Sequence, residues 1–294
     1  MQLFENGEID YVQLSTSNYL KYEEDPRVLM APYNSVRHVV INTINPEKPI
    51  LANEKFRQAL YYGVDRENLA SLTKQDPAEY IVPTTHMMDL NKNITFRDTE
   101  EGKANRKENY GYDPEKAKQL LAEAGYPDGF EVTLDAPNDR YMNDEQIAQA
   151  VAGYLEKVGI KVNLNLMPKA NFFSYIKPLE NKSMFLMTGW SDASGDGLSL
   201  MHDMLYTYNR EAGDGGVNRG HYSNAQVDAL VDQAFTEMDD TKRGELVAEA
   251  DKISREDYAY IPLHFEQDTY AIKDTLNYTP RMNKYVYAWE FSYK

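Results

Sequence analysis
The sequence predicts an α/β fold in which helices flank a mixed sheet. Two observations carry that prediction. Residues 130–168 read as strand, polar corner, helix and strand in succession, and elsewhere capped amphipathic helices alternate with short apolar runs. Within the first stretch, Glu131-Val132-Thr133-Leu134 alternates as a half-buried strand does, and Asn138–Asp144 then supplies turn and cap residues. From Glu145 the apolar positions Ile147, Val151, Tyr154, Leu155 and Val158 recur at helical spacing and stop at Gly159. Ile160–Leu166 alternates again. Such a βαβ-like unit leaves an arginine and several amides at the carboxyl end of a strand, where open α/β sheets place their ligands.

The other elements follow in chain order. Val36–Thr43 is a strand candidate. Asn53 is placed to cap a helix through Phe56, Ala59 and Leu60, and Asp65 a shorter one. Residues 76–109 carry prolines, a polar run and charge pairs without apolar period, which reads as irregular chain. Asp113-Pro114-Glu115 offers an N-cap, a first-turn proline and an acid at the positive end of the helix dipole, and Gly125 closes that helix. Ser183–Trp190 is a strand candidate. Ser223-Asn224-Ala225-Gln226 reads as a capping box ahead of Val227, Leu230 and Val231, and Asp240 is placed to cap the helix of Leu246, Val247 and Ala250. Ile261–Phe265 is the last strand candidate.

At 294 residues the chain can bury a substantial core in one or two domains. Its hydrophobic content of 42% and charged content of 27% are those of a globular protein rather than a disordered one. The net charge of −16 argues against nucleic acid and anionic membrane as partners. With no cysteine there is no disulfide framework, thiolate zinc site or cysteine nucleophile. No apolar run approaches the roughly 18 residues of a membrane helix, and the first residues lack the basic start and apolar stretch of a signal peptide.

Several segments together resemble an extracytoplasmic solute-binding protein of the peptide/oligopeptide class, family 5, the receptor of an ABC importer. Asn53–Asn68 resembles the family's signature helix, in which Arg-Gln-Ala-Leu leads to an Asp-Arg cap. Tyr110–Phe130 is similar to its Asp-Pro-x-Lys-Ala-Lys-x-Leu-Leu-x-Glu-Ala-Gly-Tyr segment. Gly189-Trp190 before an Asp- and Gly-rich corner resembles the family's strand-end tryptophan. His221–Pro262 resembles its closing helices with the Ile-Pro-Leu-His strand that follows, and Gly7–Tyr11 its Gly-Glu-x-Asp strand. The resemblance implies a type II periplasmic-binding-protein-like lobe and a longer protein with a signal sequence. Residues 42–262 would be the second lobe, with 1–41 and 263–294 incomplete pieces of the first. Chain crossings near Val39–Thr43 and Pro262–Phe265 would be the hinge. The implied function is capture of a small peptide or peptide-like solute at the periplasmic or outer face of the cytoplasmic membrane. Delivery would be to a membrane permease, with no cofactor and no covalent chemistry. Unpaired strands at the lobe pieces invite association.

The binding candidates are Arg140, Tyr141, Trp190, Asp192, Ser194, Asn42 and Thr43. Arg140 stands at a strand-to-helix corner where a guanidinium can grip a carboxylate, aided by the helix N-terminus; the alternative is a solvated ion pair with Asp139 or Asp144. Tyr141 beside it offers a flat stacking surface, or simply packs. Trp190 ends an apolar strand and opens into the loop of Asp192, Ser194 and Asp196, which suggests a pocket wall. The resemblance implies an acid for the ligand's α-amino group three residues after that tryptophan, but Ala193 stands there. Asp192 or Asp196 could supply the charge, or could cap the following helix. Asn42 and Thr43 could bond a ligand's main chain or only connect. Arg57 reads as a structural ion pair with Glu54 or another acid.

A hydrolase using Asp192/Asp196 or Glu266/Asp268 is the competing class. The sequence contains no Gly-x-Ser-x-Gly elbow, phosphate-cradling glycine loop or His-Glu-x-x-His helix to support it. Its five histidines are dispersed, with His264 and Glu266 alone sharing one side of a strand, so no metal site is assigned. His264 reads as a satisfied structural histidine. Binding of a metal chelate or haem by the same fold is the alternative.

Overall fold
The computed structural model describes residues 1–14, 16–72, 111–177, 182–192, 197–281 and 284–294. The irregular stretch expected at 76–109, and the loop positions Ser194 and Asp196, lie outside the described residues.

Six strands form one sheet: β1 (Tyr11–Gln13), β2 (Val28–Ile41), β3 (Phe130–Pro137), β4 (Ile160–Met167), β5 (Phe185–Ser191) and β6 (Tyr260–Ile272). Their order is β1-β6-β2-β5-β3-β4. β4, β3 and β5 run parallel, while β2 is antiparallel to both β5 and β6, and β1 to β6. The sheet is therefore mixed. Short helices α1 (Gln2–Glu5) and α2 (Thr16–Tyr22) belong to the N-terminal part. They are followed by α3 (Glu54–Gly63), α4 (Arg66–Leu72), α5 (Pro114–Glu123), α6 (Asp144–Lys157), α7 (Lys169–Tyr175), α8 (Leu198–Leu205), α9 (Ala225–Thr236) and α10 (Asp240–Glu256).

Strand alternation divides the core between the two faces. Val39, Ile41, Phe185 and Met187 pack with α3, α5 and α6 through Phe56, Leu60, Leu121, Ile147, Val151 and Leu155. Val36 and Tyr260 pack instead under α8, α9 and α10 through Met201, Leu205, Val227, Val231 and Val247. Gly129 and Gly159 bring β3 and β4 into step. Both lie in the left-handed region, and a Cβ on Gly129 would sit 2.1 Å from the Gly159 carbonyl oxygen.

Several helix ends match the sequence reading. Asn53 accepts the Phe56 amide at 3.1 Å, Asp113 the Lys116 amide at 2.9 Å, and Asp65 the Asn68 amide at 3.0 Å. Two caps are shifted by one residue. Asn224, not Ser223, accepts the Gln226 amide, while the Ser223 hydroxyl meets Thr207. Asp239, not Asp240, takes the amides of Thr241 and Lys242. Arg57 makes no ion pair with Glu54; its guanidinium binds the carbonyls of Ala52, Asp257 and Tyr258, tying the signature helix to the end of α10. Arg66, also buried, reaches the Pro262 carbonyl at 2.7 Å and so ties α4 to β6.

β2 and β6 are both longer than their apolar patterns suggest. Their outer parts, Val28–Pro32 against Gln267–Ala271, pair across a register break between Pro32 and Val36. Val39 and Val40 are paired on both sides, with β5 and with β6, well inside the sheet. A second register shift falls between Arg37 and His38, next to the expected crossing.

Candidate functional site
A cavity of about 670 Å³ opens at the carboxyl ends of β3 and β5, beside the register break in β2. One wall is the corner Asn138–Gln146, running from the end of β3 into the first turn of α6. The floor is Tyr33 and Ser35 of β2, Gly189–Ser191 of β5 and His264 with Glu266–Thr269 of β6, and Phe173, Gln13 and Lys284 complete the rim.

The corner is anchored from below by a pair that sequence reasoning missed. Arg37 of β2 meets Asp144 at 2.6 Å, and the two side chains are 0% and 1% exposed. The second Asp144 oxygen accepts the backbone amides of Arg140 at 2.8 Å and Tyr141 at 2.7 Å. One carboxylate thus folds the corner and pins it to the sheet. Burial pushes the Asp144 carboxyl up, and Arg37 with the two amides opposes that push. Nε and Nη1 of Arg37 have no hydrogen-bond partner among the described residues. The signal for Arg37 was a charge inside the apolar run Val36–Ile41, which only a buried partner makes tolerable.

Tyr141 lies over Gly189, where a Cβ would come within 3.0 Å of the ring and 3.3 Å of Arg37 Cδ. Its hydroxyl donates to the Gly189 carbonyl at 3.1 Å and accepts the Gly189 amide at 3.0 Å. The hydroxyl is thus committed to the sheet, and the ring is what borders the cavity. The Arg37 guanidinium lies 3.9 Å from that ring's centroid and the Arg140 guanidinium 4.7 Å. Arg140 is exposed, and its side chain pairs with neither Asp139 nor Asp144: Asp139 accepts the Lys169 amide, and Asp144 takes Arg37.

Trp190 borders the cavity too, but strand alternation sends its indole to the opposite face from Gly189. There it packs on the α8–α10 cluster and donates Nε1 to Asp203 at 3.3 Å. Asp192 does not reach the cavity. It is 2% exposed and receives the Gly197 amide at 2.8 Å and the Ser199 hydroxyl at 2.5 Å, so it ties down the entry to α8. Asn42 and Thr43 do not reach it either. They follow the far end of β2, roughly 23–26 Å from Ser35 on the extended-strand rise of about 3.3 Å per residue. Their amides are bonded to the Met184 and Gly220 carbonyls, and their side chains to those of Ser183 and Gly220.

Three titratable side chains of β6 border the cavity: His264, Glu266 and Asp268. His264 is 2% exposed, and its Nδ1 has no partner among the described residues, so it is not the satisfied histidine expected. Burial, assisted by Arg37, pushes its imidazole down to about 3, and it is neutral at physiological pH. Asp268 pairs with Lys284 at 2.9 Å, and Lys284 also sits 3.6 Å from the centroid of the Tyr33 ring. Among the described residues no cluster of His, Asp and Glu is arranged to hold a metal ion. Nor is any described helix long and apolar enough to cross a membrane.

Residues 1–212 match the family model of bacterial extracellular solute-binding proteins, family 5 Middle. The chain is 29% identical over 258 residues to heme-binding protein A of Haemophilus influenzae, covering 85% of this chain and 43% of that protein. It is 28% identical over 243 residues to the glutathione-binding protein GsiB of Salmonella choleraesuis, covering 82% of this chain and 44% of that protein. It thus spans less than half the length of these curated relatives. The fold is similar to that of the substrate-binding domain of an oligopeptide ABC transporter from Bacillus anthracis. That match has a TM-score of 0.73 and 21% identity, covering 100% of this chain and 55% of that one. The mixed sheet, its flanking helices and the matched sequence agree: this chain belongs to family 5 of the bacterial extracellular solute-binding proteins.

Proposed function
We propose that this chain forms one wall of the interlobe cleft of an ABC importer's substrate-binding component, which captures a small peptide or peptide-like solute outside the cytoplasmic membrane. The observation that carries the reading is Arg140. It is an exposed guanidinium on the rim of a polar cavity, fixed through its own backbone by buried Asp144 and held by no acid among the described residues. Such a group is preorganised for a ligand carboxylate. The Tyr141 ring supplies flat surface beside it, while Trp190 borders the cavity with its indole turned to the other face of β5. The sequence resemblance to peptide receptors, and the fold shared with the oligopeptide transporter domain of Bacillus anthracis, favour a peptide-like solute and an importer permease as partners.

In this reading residues 42–262 are mostly one lobe, with 1–41 and 263–294 belonging to a companion lobe. The hinge is carried by the long paired strands β2 and β6, whose register shifts between Pro32 and Val36 and again between Arg37 and His38. Closure about that hinge selects the bound state, and no bond is made or broken. Replacing Arg140 by Ala in the protein at its natural length should weaken a carboxylate-bearing peptide at least tenfold, about 1.4 kcal/mol. Unchanged calorimetric affinity removes Arg140 from the site. Peptide recovered intact after incubation supports a receptor, whereas cleavage products support the hydrolase class. A second reading, capture of haem or another non-peptide solute by the same wall, is favoured by the relative named heme-binding protein A.

A further inference from the structure
Five carboxylates border the cavity: Asp139, Asp144, Glu145, Glu266 and Asp268. Four are engaged. Asp139 accepts the Lys169 amide at 2.6 Å, Asp144 meets Arg37, and Asp268 takes Lys284 and Gln13. Glu145 lies on the exposed flank of α6 and binds the Gln149 amide group at 3.0 Å. Glu266 differs. It is 8% exposed, makes no ion pair with any described residue, and is held only by the Ser35 hydroxyl, at 2.6 Å. A largely buried carboxylate without a counter-charge is unfavourable, and a cation entering the cavity would relieve it. His264, next to it on the cavity side of β6, is the second sign. Its neutral imidazole borders the same cavity and brings no positive charge to Glu266.

We propose that Glu266, braced by Ser35, receives the cationic amino group of the solute, the task for which the resemblance left Asp192 or Asp196 as candidates. An ammonium has three N–H donors. Glu266 Oε1, which the Ser35 hydroxyl leaves unengaged, can take one. Arg140 on the corner wall is the opposite pole. Tyr33 feels both: burial pushes its hydroxyl up, Glu266 adds to the push, and Arg140 opposes it. Among the described residues the wall thus sets a buried carboxylate without a counter-charge and an exposed guanidinium on a shared cavity, which fits a zwitterion rather than a simple anion.

This assignment rests on the receptor reading, and the test separates the two. The protein at its natural length is titrated calorimetrically with trialanine, N-acetyl-trialanine and trialanine amide. Trialanine is expected to bind, with N-acetylation weakening it at least tenfold. Glu266→Gln should weaken trialanine at least tenfold while leaving N-acetyl-trialanine unchanged, and Glu266→Asp should fall between. Equal affinity of the wild type for trialanine and its N-acetyl form overturns the role of Glu266, even if the variants fail to fold. An unaltered preference in Glu266→Gln overturns it as well. If none of the three peptides binds the wild type, the peptide-receptor reading falls first and this assignment with it.

Discussion
Arg37 and Asp144 are both almost wholly buried, so removing one strands the charge of the other. Arg37→Met should destabilise the protein by about 3–5 kcal/mol in urea unfolding, and pairing it with Asp144→Leu should recover much of that loss. A double variant as unstable as the sum of the two singles would show that the pair is not coupled. Because Asp144 also folds the corner, Asp144→Asn should weaken solute binding beyond its effect on stability, through the displacement of Arg140. The corner residues Arg140 and Tyr141 were legible because turn chemistry and helical period bracket them tightly in sequence. Arg37 was not, since nothing local announces that its partner is 107 positions away. Asp192 was misread for the opposite reason. An acid in a polar loop after a tryptophan looks free until the next helix begins and claims it. Glu266 was noticed as half of an acid pair and as a strand neighbour of His264, but not as a cavity residue, because a polar residue continuing a strand past its apolar stretch reads as the strand's end.

Element ends provide sharper tests than element interiors. Asp239→Ala should cost about 1 kcal/mol, the usual loss for an N-cap, whereas Asp240→Ala should be nearly neutral in the same thermal unfolding assay. The reverse order would return the cap to Asp240. Gly129→Ala meets both a left-handed backbone and the Gly159 carbonyl, so a loss of about 2 kcal/mol or more is expected. The helices were readable where a single good acceptor precedes the apolar period, as at Asn53 and Asp113. They were ambiguous by one residue where two acceptors stand together, as at Ser223-Asn224 and Asp239-Asp240. The inner strands were readable from alternation. The outer halves of β2 and β6 were not, because Pro32 and the polar run Glu266–Asp268 look like breaks, although they mark where the sheet turns its polar residues toward the cavity.

For the whole molecule, the buried histidines set the acid response. Burial pushes both His38 and His264 down to about 3, while in the unfolded chain each titrates near 6.5. Below pH ~6.5 the unfolded state binds protons that the folded state refuses, so stability is full above that pH and falls as pH drops toward 3. On the order of 1–2 kcal/mol per histidine should be gone by pH 5, measured as a lower urea midpoint than at pH 7.5. An unchanged midpoint would mean that the imidazoles are protonated in the fold. The two tryptophans divide differently. Trp190 is half-buried beside the cavity and bonded to Asp203, whereas Trp289 is 78% exposed. Iodide should therefore quench the red-shifted emission of Trp289 and spare the bluer component from Trp190. A spectral change that survives the quencher then reports filling of the cavity without any attached dye.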